Sequence, residues 1–242
     1  MNILFLGNSL IYYNELPQVF ENLARAAGKD CSVQSVTKGS ATISDFANPE
    51  TVVGEKALPM LKNQPWDYVI IEPSRRISPF ESTVKEAELA SAKKIREMAL
   101  AAGGDVLLYS VWGNNNGSVK EFRAEASMHF KKVESHPIER KSHTAFMQRI
   151  NREFSEALDG VKIAEAGYAF ENLIAAYPDI NPYYPDERHP SLIGTYLAAC
   201  MIYTTMFGER VKNIPYTADL PEAEKLKEIA DATAFDGRVP TL

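Results

Sequence analysis

The sequence is poor in the residues that most metal, redox and phosphate chemistry is built on. Only two cysteines occur in 242 residues, Cys31 and Cys200, far apart, one in an expected strand and one in an expected buried helix. They form no disulfide framework and read as small core hydrophobes. No Cys-x-x-Cys, His-Glu-x-x-His, Gly-rich dinucleotide fingerprint or phosphate loop is present. The nucleophile elbow Gly-x-Ser-x-Gly also fails, because Gly7-Asn8-Ser9-Leu10 runs into Ile11. No apolar run is long enough for a bilayer span. The stretch Ile3–Leu6 is too short, and lacks the basic residues before it, to be a signal peptide, so the chain as written reads as cytoplasmic. A secreted or periplasmic parent with its leader removed would read the same way. The net charge of −6 excludes a general attraction to nucleic acid or anionic membrane, but not a specific anionic substrate.

What is present is an alternation. Short continuous apolar runs recur at Asn2–Leu6, Ser32–Val36, Tyr68–Glu72, Val106–Val111 and Val161–Glu165. Runs of this kind suit strands buried on both faces of a parallel sheet. Helical patterns separate them, at Pro17–Ala27, Glu55–Lys62, Glu81–Ala102, Thr144–Leu158 and Ser191–Phe207. The last is apolar nearly all round and so belongs deep in the fold. Residues after Pro221 offer one more surface helix and then fray. Gly113–Ser142 reads as an irregular excursion or lid. The expected architecture is a single domain over residues 1–242, a parallel sheet of five strands between helical layers.

Ligands of such sheets bind beyond the carboxyl ends of the strands, and Ser9 stands there after the first strand. Ser9 needs a base. Of the four histidines, His189 lies in "PDERHPS" with Asp186 three residues ahead. One turn can then hold the carboxylate on one imidazole nitrogen while the other faces a hydroxyl. Taken singly, Asp186 could be a turn former and His189 a cap before Pro190. His129, His136 and His143 recur every seven residues beside basic neighbours and read as surface, with no metal site.

"FLGNSL" near the start and "DERHPS" near the end resemble the first and last sequence blocks of the SGNH/GDSL hydrolase superfamily, over roughly Ile3 to Gly208. The resemblance implies a flavodoxin-like three-layer α/β/α sandwich and an esterase without a cofactor. It maps the nucleophile to Ser9, the Asp-x-x-His pair to Asp186 and His189, and the oxyanion amides to Ser9 and to Gly39 in "VTKGSAT". Asn8 replaces an Asp that is outside the triad. The family's third block, Gly-x-Asn-Asp, is missing, and its place reads "VIIEPSRR". Ser74 could supply the lost donor with Glu72 orienting it, or Asn114 to Asn116 could reach in. Arg75 and Arg76 either clamp an anionic or sugar substrate or are simply solvated. Tyr12, Tyr13 and Trp112 either wall the site or belong to the core.

The expected substrate is a small-molecule or carbohydrate ester with a short acyl group, since no long apolar lid is evident. Two rivals stand beside this reading: an SGNH-type fold that binds a ligand without turnover, and a flavodoxin-type module whose first loop holds phosphate. The Asp186–His189 pair argues against the second.

Overall fold

The computed structural model describes residues 1–77, 82–121 and 135–237, with the backbone only at 118–121 and 135–137. The chain runs β1 (Asn2–Gly7), α1 (Ser9–Tyr12), a 3-10 turn (Tyr13–Glu15), α2 (Leu16–Ala26), β2 (Ser32–Thr37), α3 (Ile43–Ala47), α4 (Val52–Asn63) and β3 (Tyr68–Ile71). It continues through α5 (Thr83–Ala101), β4 (Asp105–Tyr109), β5 (Ser118–Glu121), β6 (Ser135–Ile138), α6 (Arg140–Ala157), β7 (Ile163–Ala164), α7 (Ala166–Ala176), α8 (Leu192–Phe207) and α9 (Ala223–Phe235).

Five strands form one parallel sheet in the order β2-β1-β3-β4-β7. Alternate residues of β1 feed two cores. Ile3 and Phe5 pack with Phe20, Leu107 and the apolar residues of α7, α8 and α9. Leu4 and Leu6 pack with Phe46, Ala57, Ile95 and Phe154 on the other face. A sheet buried on both sides needs apolar residues at every position, which is why its strands carry unbroken runs. The result is the expected three-layer α/β/α sandwich.

Strand order also fixes where a ligand can enter. From β1 the chain crosses to β2 on one side, then passes back over β1 to β3 on the other. The connections diverge at the carboxyl end of β1, and that divergence opens a crevice. Ser9 follows that end directly.

Several boundaries differ from the expected ones. Helix was expected from Pro17, but the chain already winds at Ser9, where Asn8 caps α1 by accepting the Leu10 N–H at 3.0 Å. Asn14 and Glu15, at φ 49° and 56°, break this turn from α2. The short α3 and the almost wholly buried α7 lack amphipathic periodicity, so neither shows in the sequence pattern. Helix α9 is no surface appendage: Leu226, Ile229 and Ala230 are buried in the same core as α8. The supposed irregular excursion holds an antiparallel β5–β6 pair and the first turn of α6. His129 lies outside the described residues, as does the side chain of His136. His143 is buried in α6, contrary to its expected surface position. Among the described residues no helix is long and apolar enough to cross a membrane.

Candidate active site

Gly7 ends β1 where a Cβ would lie 2.3 Å from Cδ1 of Ile11, so a larger residue would have to displace the Ile11 side chain that packs on this turn. The turn lifts Ser9 onto the sheet rim. Asn8 fixes the turn from both ends of its amide: Oδ1 accepts from Leu10, and Nδ2 donates to the Ala41 carbonyl at 3.3 Å and to Glu72 Oε1 at 3.4 Å.

His189 arrives from the loop before α8. Its Nε2 lies 2.8 Å from Ser9 Oγ, and its Nδ1 lies 2.5 Å from Asp186 Oδ2. The other oxygen of Asp186 accepts the backbone N–H groups of Arg188 and His189 at 3.0 and 2.9 Å. Burial opposes ionisation of Asp186, but the His189 side chain and the two amide bonds outweigh it and bring the carboxyl down to about 2. A permanently ionised Asp186 orients the imidazole with Nε2 free to take a proton from Ser9.

The loop is held on several sides. Tyr13 stacks flat on the His189 ring, with centroids 4.0 Å apart and planes 6° from parallel. Asn14 Nδ2 donates to the Pro190 carbonyl at 2.9 Å and to Thr195 Oγ1 at 3.0 Å, tying the nucleophile loop to the base loop. Trp112 Nε1 donates to the Arg188 carbonyl at 3.1 Å. On the far side Asn115 receives Glu187: its N–H bonds the Glu187 carbonyl at 2.8 Å and its Nδ2 the carboxylate at 2.5 Å.

Gly39 lies in the turn after β2. Gly7 pairs with Thr37, and the Lys38 N–H donates to the Gly7 carbonyl at 3.2 Å, so the Gly39 turn overhangs β2 as Ser9 overhangs β1. Among the described residues the N–H groups of Ser9 and Gly39 have no protein acceptor. A Cβ on Gly39 would lie 3.3 Å from the Tyr12 hydroxyl, which places Tyr12 over the same turn.

Other expected site residues sit differently. Ser74 is buried and turned inward: its N–H donates to Glu88 Oε2 at 2.8 Å and its Oγ accepts from the Arg76 N–H at 3.0 Å. Its hydroxyl is thus committed to this turn and to Glu88, which does not favour an oxyanion role. Trp112 is fully buried, stacked on Phe170 with centroids 3.7 Å apart, so it supports the His189 loop and does not wall the site. Asn114 accepts from Arg75 Nη2. Glu72 is buried beneath Asn8, and its Oε2 has no partner among the described residues. Burial raises it to about 8, with the Asn8 bond and the charges of Arg75 and Arg188 resisting and Glu88 adding to the rise. Burial likewise lifts Glu88 to about 7 against its bonds from Ser74.

Sequence reasoning missed Asn14, although Asn is the residue a left-handed turn selects. It also missed Asn115–Glu187, a tie between segments distant in sequence that no spacing announces.

No family model matches this sequence, and no curated protein matches it. Solved structures do. A protein of Slackia heliotrinireducens described as a candidate SGNH hydrolase is 25% identical, with a TM-score of 0.62 over 85% of this chain and 98% of its own. A DUF4886 family protein of Bacteroides uniformis is 16% identical, with a TM-score of 0.72 over 100% of this chain and 98% of its own. An acetyl-xylooligosaccharide esterase of Geobacillus is 15% identical, with a TM-score of 0.55 over 86% of this chain and 94% of its own.

Proposed function

We propose, from the premise that this chain belongs to the SGNH/GDSL hydrolase superfamily, that it is a serine esterase working through Ser9, His189 and Asp186. The observation that carries the reading is the unbroken line from Ser9 Oγ to His189 Nε2 at 2.8 Å and from Nδ1 to Asp186 at 2.5 Å. These are the distances a nucleophile, its base and the group orienting that base require.

His189 takes the Ser9 proton as the hydroxyl attacks the ester carbonyl, and the ionised Asp186 stabilises the imidazolium so formed. The N–H groups of Ser9 and Gly39 hold the oxyanion. His189 then protonates the leaving alcohol, and water, activated by the same imidazole, releases the acid from the acyl-enzyme. No step calls for a metal or an organic cofactor.

The acyl group is short and the alcohol a carbohydrate in this reading. Tyr12 and Tyr184 are 42% and 49% exposed beside the Ser9 and His189 loops, a surface on which sugar faces stack. The Geobacillus neighbour is named for an ester of this class. A slower relative, or a binder without turnover, is favoured by one observation, the inward turn of Ser74 where a side-chain oxyanion donor was expected. Losing one such donor costs about 10² to 10³ in turnover.

A fluorophosphonate separates these. It should label Ser9 once per chain, with 4-nitrophenyl acetate hydrolysed in parallel. His189→Ala should slow labelling by orders of magnitude and Asp186→Ala by less, because Asp186 moves no proton. Absence of labelling in the folded wild type would leave the binder reading in place.

A further inference from the structure

Six of the nine described arginines are paired. Arg25, Arg96, Arg140, Arg149, Arg152 and Arg210 each meet a carboxylate within ion-pair distance. Among the described residues Arg75, Arg76 and Arg188 do not, although acidic residues outnumber basic ones 32 to 26. Two of these three lie against the site. Arg188 is exposed and directly precedes His189, its backbone fixed by Asp186 on one side and Trp112 on the other. Its guanidinium has no hydrogen-bond partner among the described residues. Arg75 spends Nη2 on Asn114, a neutral group, while its Nη1 is buried without a partner among the described residues.

Burial and the charge of Arg188 lower Arg75 to about 10, with Glu72 opposing. Glu72 is the carboxyl nearest in charge to both arginines, yet its Oε1 accepts from Asn8 and, among the described residues, it forms no ion pair with either of them. Arg75, beside Asn114, and Arg188, next to His189, thus stand near the site with no carboxylate in ion-pair distance among the described residues. For Arg75 this comes at a cost, since a buried charged donor without a partner is unfavourable. An incoming carboxylate would remove that cost, because a guanidinium fork binds it with two parallel charge-assisted bonds.

We propose that Arg75 and Arg188 form a carboxylate-binding subsite, so that the preferred substrate is an ester which itself carries a carboxylate. This rests on the esterase reading above and narrows its substrate class. The negative group belongs either to the acyl part, as in a dicarboxylic half-ester, or to the alcohol, as in an acetylated sugar acid. Arg76, exposed on the same turn, adds to the positive potential that draws such a substrate in.

Three esters test it on the intact chain: 4-nitrophenyl acetate, mono-4-nitrophenyl succinate and 3-carboxy-4-nitrophenyl acetate. One of the two anionic esters should exceed the neutral one in kcat/KM by about 10-fold or more, and which one it is locates the carboxylate. Arg188→Gln and Arg75→Gln should each lower that anionic-to-neutral ratio by about 10-fold, chiefly through KM. Arg188→Lys should restore part of it. High salt should reduce the preference in the wild type. Hydrolysis of the neutral ester with no anionic preference, or a preference that survives both Gln variants, overturns the subsite and leaves the esterase standing. Failure to turn over any of the three overturns both.

Discussion

Ser9, His189 and Asp186 are joined by bonds that two short segments make almost alone. Asp-x-x-His closes within one turn, so that half of the site was legible from spacing. Its pairing with Ser9, 180 residues away, was inferred from the place of Ser9 after the first strand and from the resemblance of the flanking blocks. Glu72 shows what spacing cannot supply. Its identity is plain in "VIIEPSRR", but its protonation depends on being buried between Asn8, Arg75, Arg188, Glu88 and Tyr109, which only the folded chain assembles. A carboxyl at about 8 when folded, against 4.5 when exposed, keeps a proton that the unfolded chain has released. Its folding penalty is therefore absent below 4.5, grows as pH rises, and is complete above 8. Glu88 acts in the same direction between 4.5 and about 7. The wild type should accordingly lose a few kcal/mol, and several degrees of Tm, between about pH 5 and pH 9. Glu72→Gln, which is neutral throughout, should flatten much of that slope in a thermal melt. Parallel profiles for the two proteins would mean that Glu72 is ionised in the fold.

At the scale of elements, the base loop is aimed by the helix behind it. Ser191 caps α8 by accepting the Gly194 N–H at 3.3 Å, and Ser191 N–H returns to the Pro182 carbonyl at 2.8 Å. Tyr183 and Pro190 bridge across the loop that carries His189. Gly194 is what lets these pieces close: a Cβ there would sit 2.2 Å from the Pro182 oxygen and 2.7 Å from Cζ of Phe170. Backbone on one side and a packed ring on the other cannot both yield. Gly194→Ala should cost about 1–3 kcal/mol, and by shifting Pro182 should lower kcat by more than the lost stability explains. Gly208→Ala is the comparison. It caps the other end of α8 at φ 66° with open space around it, so it should cost about 1 kcal/mol and leave turnover alone. Equal effects on kcat would detach the loop from α8. The deep burial of α8 was readable from its unbroken apolar run. This closing contact was not, because a glycine early in a helix gives no sign of what lies against it.

On the scale of the whole molecule, the sheet's strand order puts the crevice at the end of β1, and the helices decide whether that crevice is held rigid. The strands were legible because a doubly buried sheet requires continuous apolar runs. Helix α9 was misjudged because its sequence mixes Lys and Glu among its apolar residues and looks amphipathic enough for a surface. The structure places it against α8, with Leu226 fully buried and the Lys227 ammonium bonded to the Ile214 carbonyl at 2.6 Å and to Glu224 at 2.7 Å. Asp231 accepts from the Val211 and Lys212 N–H groups, so the connection from α8 is fastened to α9 as well. Helix α9 thus completes the core on the face that carries Ile3, Phe5 and Tyr109, and α8 is clamped between it and α2. Leu226→Ala removes a core side chain from this layer and should destabilise by about 2–5 kcal/mol. For a chain of this length that is a fall in Tm of roughly 5–15 °C. Among the described residues no hydrogen bond or ion pair joins helix α9 to the groups that orient His189, so kcat measured well below the lowered Tm should change little. A shift smaller than about 2 °C would return α9 to the surface appendage that its periodicity suggests. A large loss of kcat in the folded variant would mean that the clamp on α8 reaches the base loop, and that the core layer helps to set the geometry of Ser9 and His189.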